Sequence, residues 1–322
     1  MAGLKTIKTK IRSIEKTQTV TKAMEAVSAS KMRKAQQRAL AGRAYARAAV
    51  SILARVSGSR ELASHPLVRG GEKDVFSGET NRLLTPAKTS FSPPARVLYI
   101  VITSDKGLAG ALNSAVLRKV QSDITGDASV IAVGRKANDF FVARGVAVEV
   151  YHPNTDGLTQ ELLNEITAEA ANRFALGVVD TVKIAYQNFI STFEQRPTLR
   201  TIFPLSLGEL QHVVDDILPT RGVFANEKGD SSALGGVALR VQTYTVEPSE
   251  GEVLDAILPK LASVFVYHAL LEAQASEHSA RMVSMKSASD KAGEMEHSLT
   301  LQFNKARQAA ITREVSEITG GI

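Results

Sequence analysis

The chain has 322 residues, enough for two ordinary domains, yet aromatics supply only 5% of it and Trp is absent. Rings provide so much core area that a compact two-domain enzyme is expected to carry more of them. Cys is absent too, which excludes disulfides, thiolate metal sites and Cys nucleophiles together.

The net charge of +6 is unevenly spread: residues 1–60 hold 14 Lys or Arg against Glu15 and Glu25, a net +12 that leaves −6 for the rest. Three readings fit so basic a start: a transit peptide, a nucleic-acid-binding helix, or the solvated face of a long helix. A periodic pattern that runs unbroken for more than fifty residues favours the last. No apolar run exceeds six residues, Val97–Ile102. A bilayer span takes roughly 20, so the chain is expected to be soluble or peripheral, with no direct membrane insertion.

Leu4 to Ser57 contains no Pro and a single Gly, Gly42; Lys260 to Thr319 contains no Pro and a single Gly, Gly293. Turn punctuation is therefore confined to the middle, and both ends are expected to be long helices. In the first, Leu4, Ile7, Ile11 and Ile14 make an apolar stripe. Val20, Met24 and Val27 continue it after a slip, and Ala35, Ala39 and Ala46 lead on to Leu53 and Val56.

The middle reads as α/β. Val97–Ile102 is continuous enough for a strand buried on both faces. A helix is expected over 112–124, a strand over 130–133, a helix over 136–144 and a strand over 146–150, followed by a helix over 158–175 and a strand over 181–186. Alternating units of this kind imply a mostly parallel sheet. The segments 60–93 and 221–236, rich in Gly, Ser, Pro and charge, are expected to be long surface loops.

The last segment opens with Ser249 and Glu252, a capping box, and Pro259 predicts a kink or break soon after. From Leu254, alternate steps of three and four visit Ile257, Leu261, Val264, His268, Leu271 and Ala275, and reach Ala310 in sixteen steps. Twelve of the sixteen land on apolar residues. A 3.5-residue repeat this long is a coiled-coil seam. Each end helix needs a partner for its stripe, and a folded unit joining them makes the pair antiparallel.

The one loop placed for chemistry is Thr103–Gly110, between the first strand and a helix, where α/β enzymes cradle phosphates. It matches neither G-x-G-x-x-G nor G-x-x-x-x-G-K-[ST]. Two glycines in a tight turn, with Ser104 or Asp105 capping the following helix, account for it more simply. The six His are scattered without H-E-x-x-H, and no G-x-S-x-G occurs. Catalytic, cofactor-binding and metal-binding residues are therefore all expected to be absent.

Two stretches carry a resemblance: IKTKIRSIEKTQTVTKAMEAVSASKMRKAQQ from Ile7, and LLEAQASEHSARMVSMKSASDKAGEMEHSLTLQFNKARQAAITREVSEI from Leu270. Both resemble the terminal helices of the gamma subunit of F-type ATP synthases. SDKGLAGALN, with Ser104, Asp105, Lys106, Gly107, Gly110 and Asn113, is similar to that family's central motif.

The resemblance implies a rotor. Shaft helices would occupy 1–58 and 249–322, and a Rossmann-like α/β domain 96–220. Insertions would occupy 59–95 and 221–248, the second including a strand. It implies no catalysis and no cofactor. The implied partners are the alpha and beta subunits of the catalytic ring, the epsilon subunit and the c-subunit ring, without nucleic acid. The implied location is the cytoplasmic face of a bacterial inner membrane.

Arg307, Gln308 and Thr312 match family positions that touch the catalytic subunits. Glu277, Arg281 and Met24 match coupling positions, although plain packing explains Met24 equally well. From the residues alone, a nucleotide-binding α/β enzyme with a coiled-coil arm and a nucleic-acid-binding coiled coil stay open beside the rotor.

Overall fold

The computed structural model describes residues 2–56, 65–69, 96–155, 159–205 and 249–319. Most of the expected loops 60–93 and 221–236, and the expected strand before 249, lie outside the described residues.

The two end helices are α1, Ala2–Val56, and α6, Glu250–Thr319. At 1.5 Å per residue they reach ~80 and ~105 Å. Between them lie α2 (Pro66–Arg69), β1 (Val97–Ile102), α3 (Leu112–Asp123), β2 (Ala128–Val133), α4 (Arg135–Val142), β3 (Ala147–His152), α5 (Gln160–Ala175), β4 (Thr181–Phe189) and β5 (Gln195–Phe203). The strands form one sheet in the order β3-β2-β1-β4-β5. All neighbours are parallel except β4 and β5.

Central β1 is buried on both faces, as its unbroken apolar run requires. Leu98, Ile100 and Ile102 join a core built with α5, α2 and the first turns of α6. Tyr99 and Val101 face α3 and α4 with Val116, Val120 and Phe141. Fully burying side chains of this size contributes roughly 1.5–3 kcal/mol each, which makes the sheet a firm base for the loops at its carboxyl edge.

Three expectations change here. Strand β5 was not foreseen, because Pro197 and three Arg or Gln residues break its apolar pattern. As an edge strand it tolerates a residue that cannot donate a ladder bond. Nor does Pro259 break the last helix; α6 runs through it. Leu258 and Leu261 on either side are almost wholly buried, so core packing offsets the missing hydrogen bond. Ser249 does cap the helix, accepting from Glu252 N at 3.2 Å. Finally, part of the expected surface loop is core: Leu67 is buried, and its carbonyl accepts from Leu205 N at 2.9 Å.

The seam of α1 also differs from its sequence reading. The buried or half-buried positions include Leu4, Ile7, Ile11, Ile14, Gln18, Thr21, Met24, Ser28, Met32 and Ala35, flanked by half-buried Glu25, Ala29, Gln36 and Arg38. Every step along the first ten is three or four residues, with no slip. Val20 and Val27 instead face outward, 57% and 56% exposed. Polar Gln18, Thr21 and Ser28 occupy the seam, and the preceding turn satisfies Thr21 locally: its Oγ1 donates to Thr17 O at 3.0 Å and to Gln18 O at 2.9 Å. The side chains of Ala39, Ala46, Leu53 and Val56 lie outside those described.

In α6 every expected seam position from Leu254 to Ala310 is buried or half-buried. The nearest side chain to Gly293 is Gln18, within 2.8 Å of where a Cβ would stand. With described seam burial reaching Leu4 in one helix and Ala310 in the other, this fixes an antiparallel pair.

An 18-residue window of α6 is apolar enough by composition to cross a bilayer, and half of it is buried. Counting uninterrupted apolar runs missed it, because scattered polar residues divide the stretch. Leu254, Leu258, Leu261, Ala262 and Val266 belong to the core against the sheet.

Candidate functional site

The loop after β1 is built by short polar ties. Asn113 reaches back from α3: its Oδ1 accepts from Ser104 N at 3.0 Å and its Nδ2 donates to Ser104 Oγ at 2.7 Å. Ser104 Oγ in turn donates to Lys106 O at 2.6 Å. Asp105 Oδ1 accepts from Arg135 N at 2.8 Å, so it caps α4. The expected cap on α3 is not made; Ala111 stands at its N-cap without a side-chain hydrogen bond. The loop then turns through two left-handed residues, Leu108 at φ 65° and Gly110 at φ 60°. Leu108 is 60% exposed. For a residue with a Cβ this geometry is uncommon and needs outside support.

Support comes from the shaft. Arg281 donates from both Nε and Nη2 to Gly107 O at 3.3 Å. Its guanidinium is held by Glu277, one turn earlier, at 2.6 Å. Both side chains are about nine-tenths buried. A buried pair of this kind is retained only when its remaining donors are also satisfied, and the Gly107 carbonyl supplies that. Gly110 packs against Ser284, whose Oγ lies 3.4 Å from where a Cβ would stand.

One glycine that sequence reasoning passed over is indispensable here. Gly134, at φ 101°, ends β2 so close to β1 that a Cβ would lie 2.1 Å from Thr103 O. Its only signal in the sequence was its place between an apolar run and a helix. Asn154, Gln187 and Gln274 were missed as well. Asn154 Nδ2 donates to Thr103 O at 2.8 Å, and Gln187 Nε2 to Leu112 O at 2.8 Å. Nothing in their local sequence marks them, because their partners are distant in the chain.

The structure thus brings the motif loop together with Glu277 and Arg281, which lie inside the protein. It does not bring them together with the other named residues. Arg307, Gln308 and Thr312 are exposed near the far end of α6, and Met24 is half-buried on the seam side of α1. The phosphate-cradle reading of the loop loses its physical basis, since the shaft takes up the Gly107 carbonyl and helix α6 crosses the space above it.

The sequence profile of the ATP synthase family matches residues 3–322. The ATP synthase gamma chain of Heliobacterium modesticaldum is 38% identical over 324 residues, covering 100% of this chain and 98% of the relative. That of Pelotomaculum thermopropionicum is 35% identical over 328 residues, with the same coverages. Among solved structures, a chain of the Euglena gracilis mitochondrial ATP synthase (OSCP/F1/c-ring) superposes with a TM-score of 0.60 at 18% identity. The match covers 99% of this chain and 93% of that one, a likeness of fold. On its sequence alone, the chain belongs to the ATP synthase gamma-chain family.

Proposed function

We propose that this ATP synthase subunit is the non-catalytic rotor of the complex, a central stalk that couples ion-driven rotation of the c-ring to ATP synthesis and hydrolysis at the beta subunits. The observation that carries the reading is the continuous antiparallel pair of α1 and α6 standing out from a small α/β base. A lever of this length transmits rotation only if it is stiff, and a seam in unbroken register supplies stiffness. The segments 1–58 and 249–322 act as the shaft, 96–220 as the foot, and 59–95 and 221–248 as insertions.

Rotor–stator contact is made by the exposed tip, Arg307, Gln308 and Thr312, inside the ring of alpha and beta subunits. Met24 contributes from the seam. Glu277 and Arg281 act from within, by fixing the motif loop. The foot faces the epsilon subunit and the c-ring, at the cytoplasmic face of a bacterial inner membrane. Outward Lys and Arg on α1 suit a sleeve of acidic loops, because complementary charge orients partners without a deep lock.

The test is copurification. A tagged chain expressed in its own cells is expected to bring down alpha and beta subunits in a fixed ratio with one copy of itself. Recovery without them would overturn the assignment.

A further inference from the structure

In open α/β sheets, ligands bind beyond the carboxyl ends of the strands, where the strand order reverses. Here the order places that reversal between β1 and β4, and α6 itself lies across it. Four α6 side chains donate to backbone carbonyls at this edge, three in loops and one, Gln187 O, near the end of β4. Gln274 Nε2 reaches Thr155 O at 2.9 Å, and Arg281 reaches Gly107 O at 3.3 Å. Ser276 Oγ reaches Gln187 O at 3.1 Å, and Ser279 Oγ reaches Thr192 O at 2.6 Å. From His268 to Ser279 every residue is buried, so the helix is enclosed on all sides here, unlike anywhere else along its described length.

We propose that these four residues are a torsional clasp, the joint that stops the shaft from swivelling in the foot. At about 100° per residue, Gln274 and Arg281 lie on one side of the helix and Ser276 and Ser279 roughly opposite. Bonds on opposite sides of an axis resist rotation as a couple. Apolar seam contacts are non-directional and resist swivelling weakly. A side-chain atom about 5–6 Å from the axis moves roughly 2 Å when the helix turns by about 20°, which breaks a hydrogen bond. The clasp thus converts twist of the foot into twist of the shaft within a small angle. The Ser hydroxyls have this role because buried and short side chains cannot follow the rotation.

The inference rests on the rotor reading, and the experiment separates the two. The whole ATP synthase complex, carrying Ser276→Ala with Ser279→Ala, is placed in ion-tight vesicles. Ions pumped per ATP hydrolysed are compared with the wild-type complex. Loss of two buried hydrogen bonds is expected to lower that ratio by about threefold or more, with the subunit ratio unchanged and hydrolysis within about twofold. Gln274→Ala, on the opposite side, is expected to lower the ratio less, and the triple variant more. An unchanged ratio would overturn the clasp. So would failure of both variants to assemble, which would make these residues merely structural. If the complex with the wild-type chain hydrolyses ATP but pumps nothing, the rotor reading itself fails.

Discussion

Gly293, the lone glycine within the last sixty residues of α6, lies against Gln18 of α1: a Cβ there would stand 2.8 Å from Gln18 Nε2 and 3.9 Å from its Cδ. The obstacle is the far end of a flexible side chain. Replacing Gly by Ala inside a helix contributes about 1 kcal/mol, and moving the carboxamide off its rotamer costs about as much. Gly293→Ala is therefore expected to leave the urea midpoint nearly unchanged. In a Gln18→Ala background the same change is expected to stabilise by about 1 kcal/mol. A cycle with no such coupling would show that the two helices do not meet at this register.

That contact also shows how far the sequence could be read. The α6 seam was legible because Leu, Val, Met and Ala mark it in steps of three and four. The α1 seam was misread at its centre for a physical reason. Thr21 and Ser28 are polar but small enough to pack between close helices, whereas Val20 and Val27 are apolar and point outward. Hydropathy alone picks the wrong face. The sheet was legible wherever strands are buried on both sides, and β5 was not, since an edge strand carries Pro197, Arg196 and Arg200 without penalty. The clasp and the Arg281–Gly107 tie join residues more than 80 positions apart. No local pattern encodes them.

Leu67 tests where the expected surface loop becomes structure. It is 6% exposed and packs into the core shared by β4, α5 and α6. Nearby His65 Nε2 lies 2.9 Å from Asp255 Oδ1. Truncating a buried Leu costs about 2–5 kcal/mol, so Leu67→Ala is expected to lower the unfolding midpoint clearly. Deleting residues 60–93 whole is expected to do the same. Deleting 71–93 alone is expected to leave assembly intact, and a complex that no longer forms would show that the segment carries structure.

Asp123, at the end of α3, accepts from Lys183 Nζ at 2.6 Å and from Tyr99 Oη at 2.8 Å. Burial pushes its carboxyl up, but the bonds from Lys183 and Tyr99 outweigh this and hold it below the usual value. Tyr99 is raised, by burial first and then by Asp123. A carboxylate depressed in the folded state stabilises above its unfolded pKa of about 4 and ceases to as pH falls through the folded value. Asp123→Asn is expected to destabilise by about 1–2 kcal/mol at neutral pH. The difference from wild type is expected to shrink below about pH 4. A gap that stays constant from pH 7 to 3 would remove the carboxylate from the account.

The isolated chain is expected neither to bind nor to hydrolyse ATP. The loop after β1, in the position of a phosphate cradle, is spent on the shaft, through Gly107 and Arg281. Calorimetry of the purified, nucleotide-free chain checks this, and micromolar binding would revive the enzyme reading.

The tip of α6 carries the last prediction. Among the described side chains, seam burial reaches Ala310, and from Ile311 to Ser316 every side chain is exposed, including Ile311 and Val315. Just before that limit, Arg307 and Gln308 already point away from α1, which has come to its own first residues. Exposed side chains of this kind are open to a partner outside the chain. Contacts made there by a turning shaft must form and break at each step, so each has to be modest. A hydrogen bond to a charged group contributes about 1.5–3 kcal/mol, enough to bias a step by roughly ten- to a hundredfold. Arg307→Ala with Gln308→Ala is expected to weaken coupled ATP turnover while leaving the subunit ratio of the purified complex unchanged. Helix content should be retained, because Ala is the strongest helix former. Wild-type rates of synthesis and hydrolysis would remove the tip from the coupling path. Failure to assemble would instead make these side chains part of the docking of the shaft into its ring.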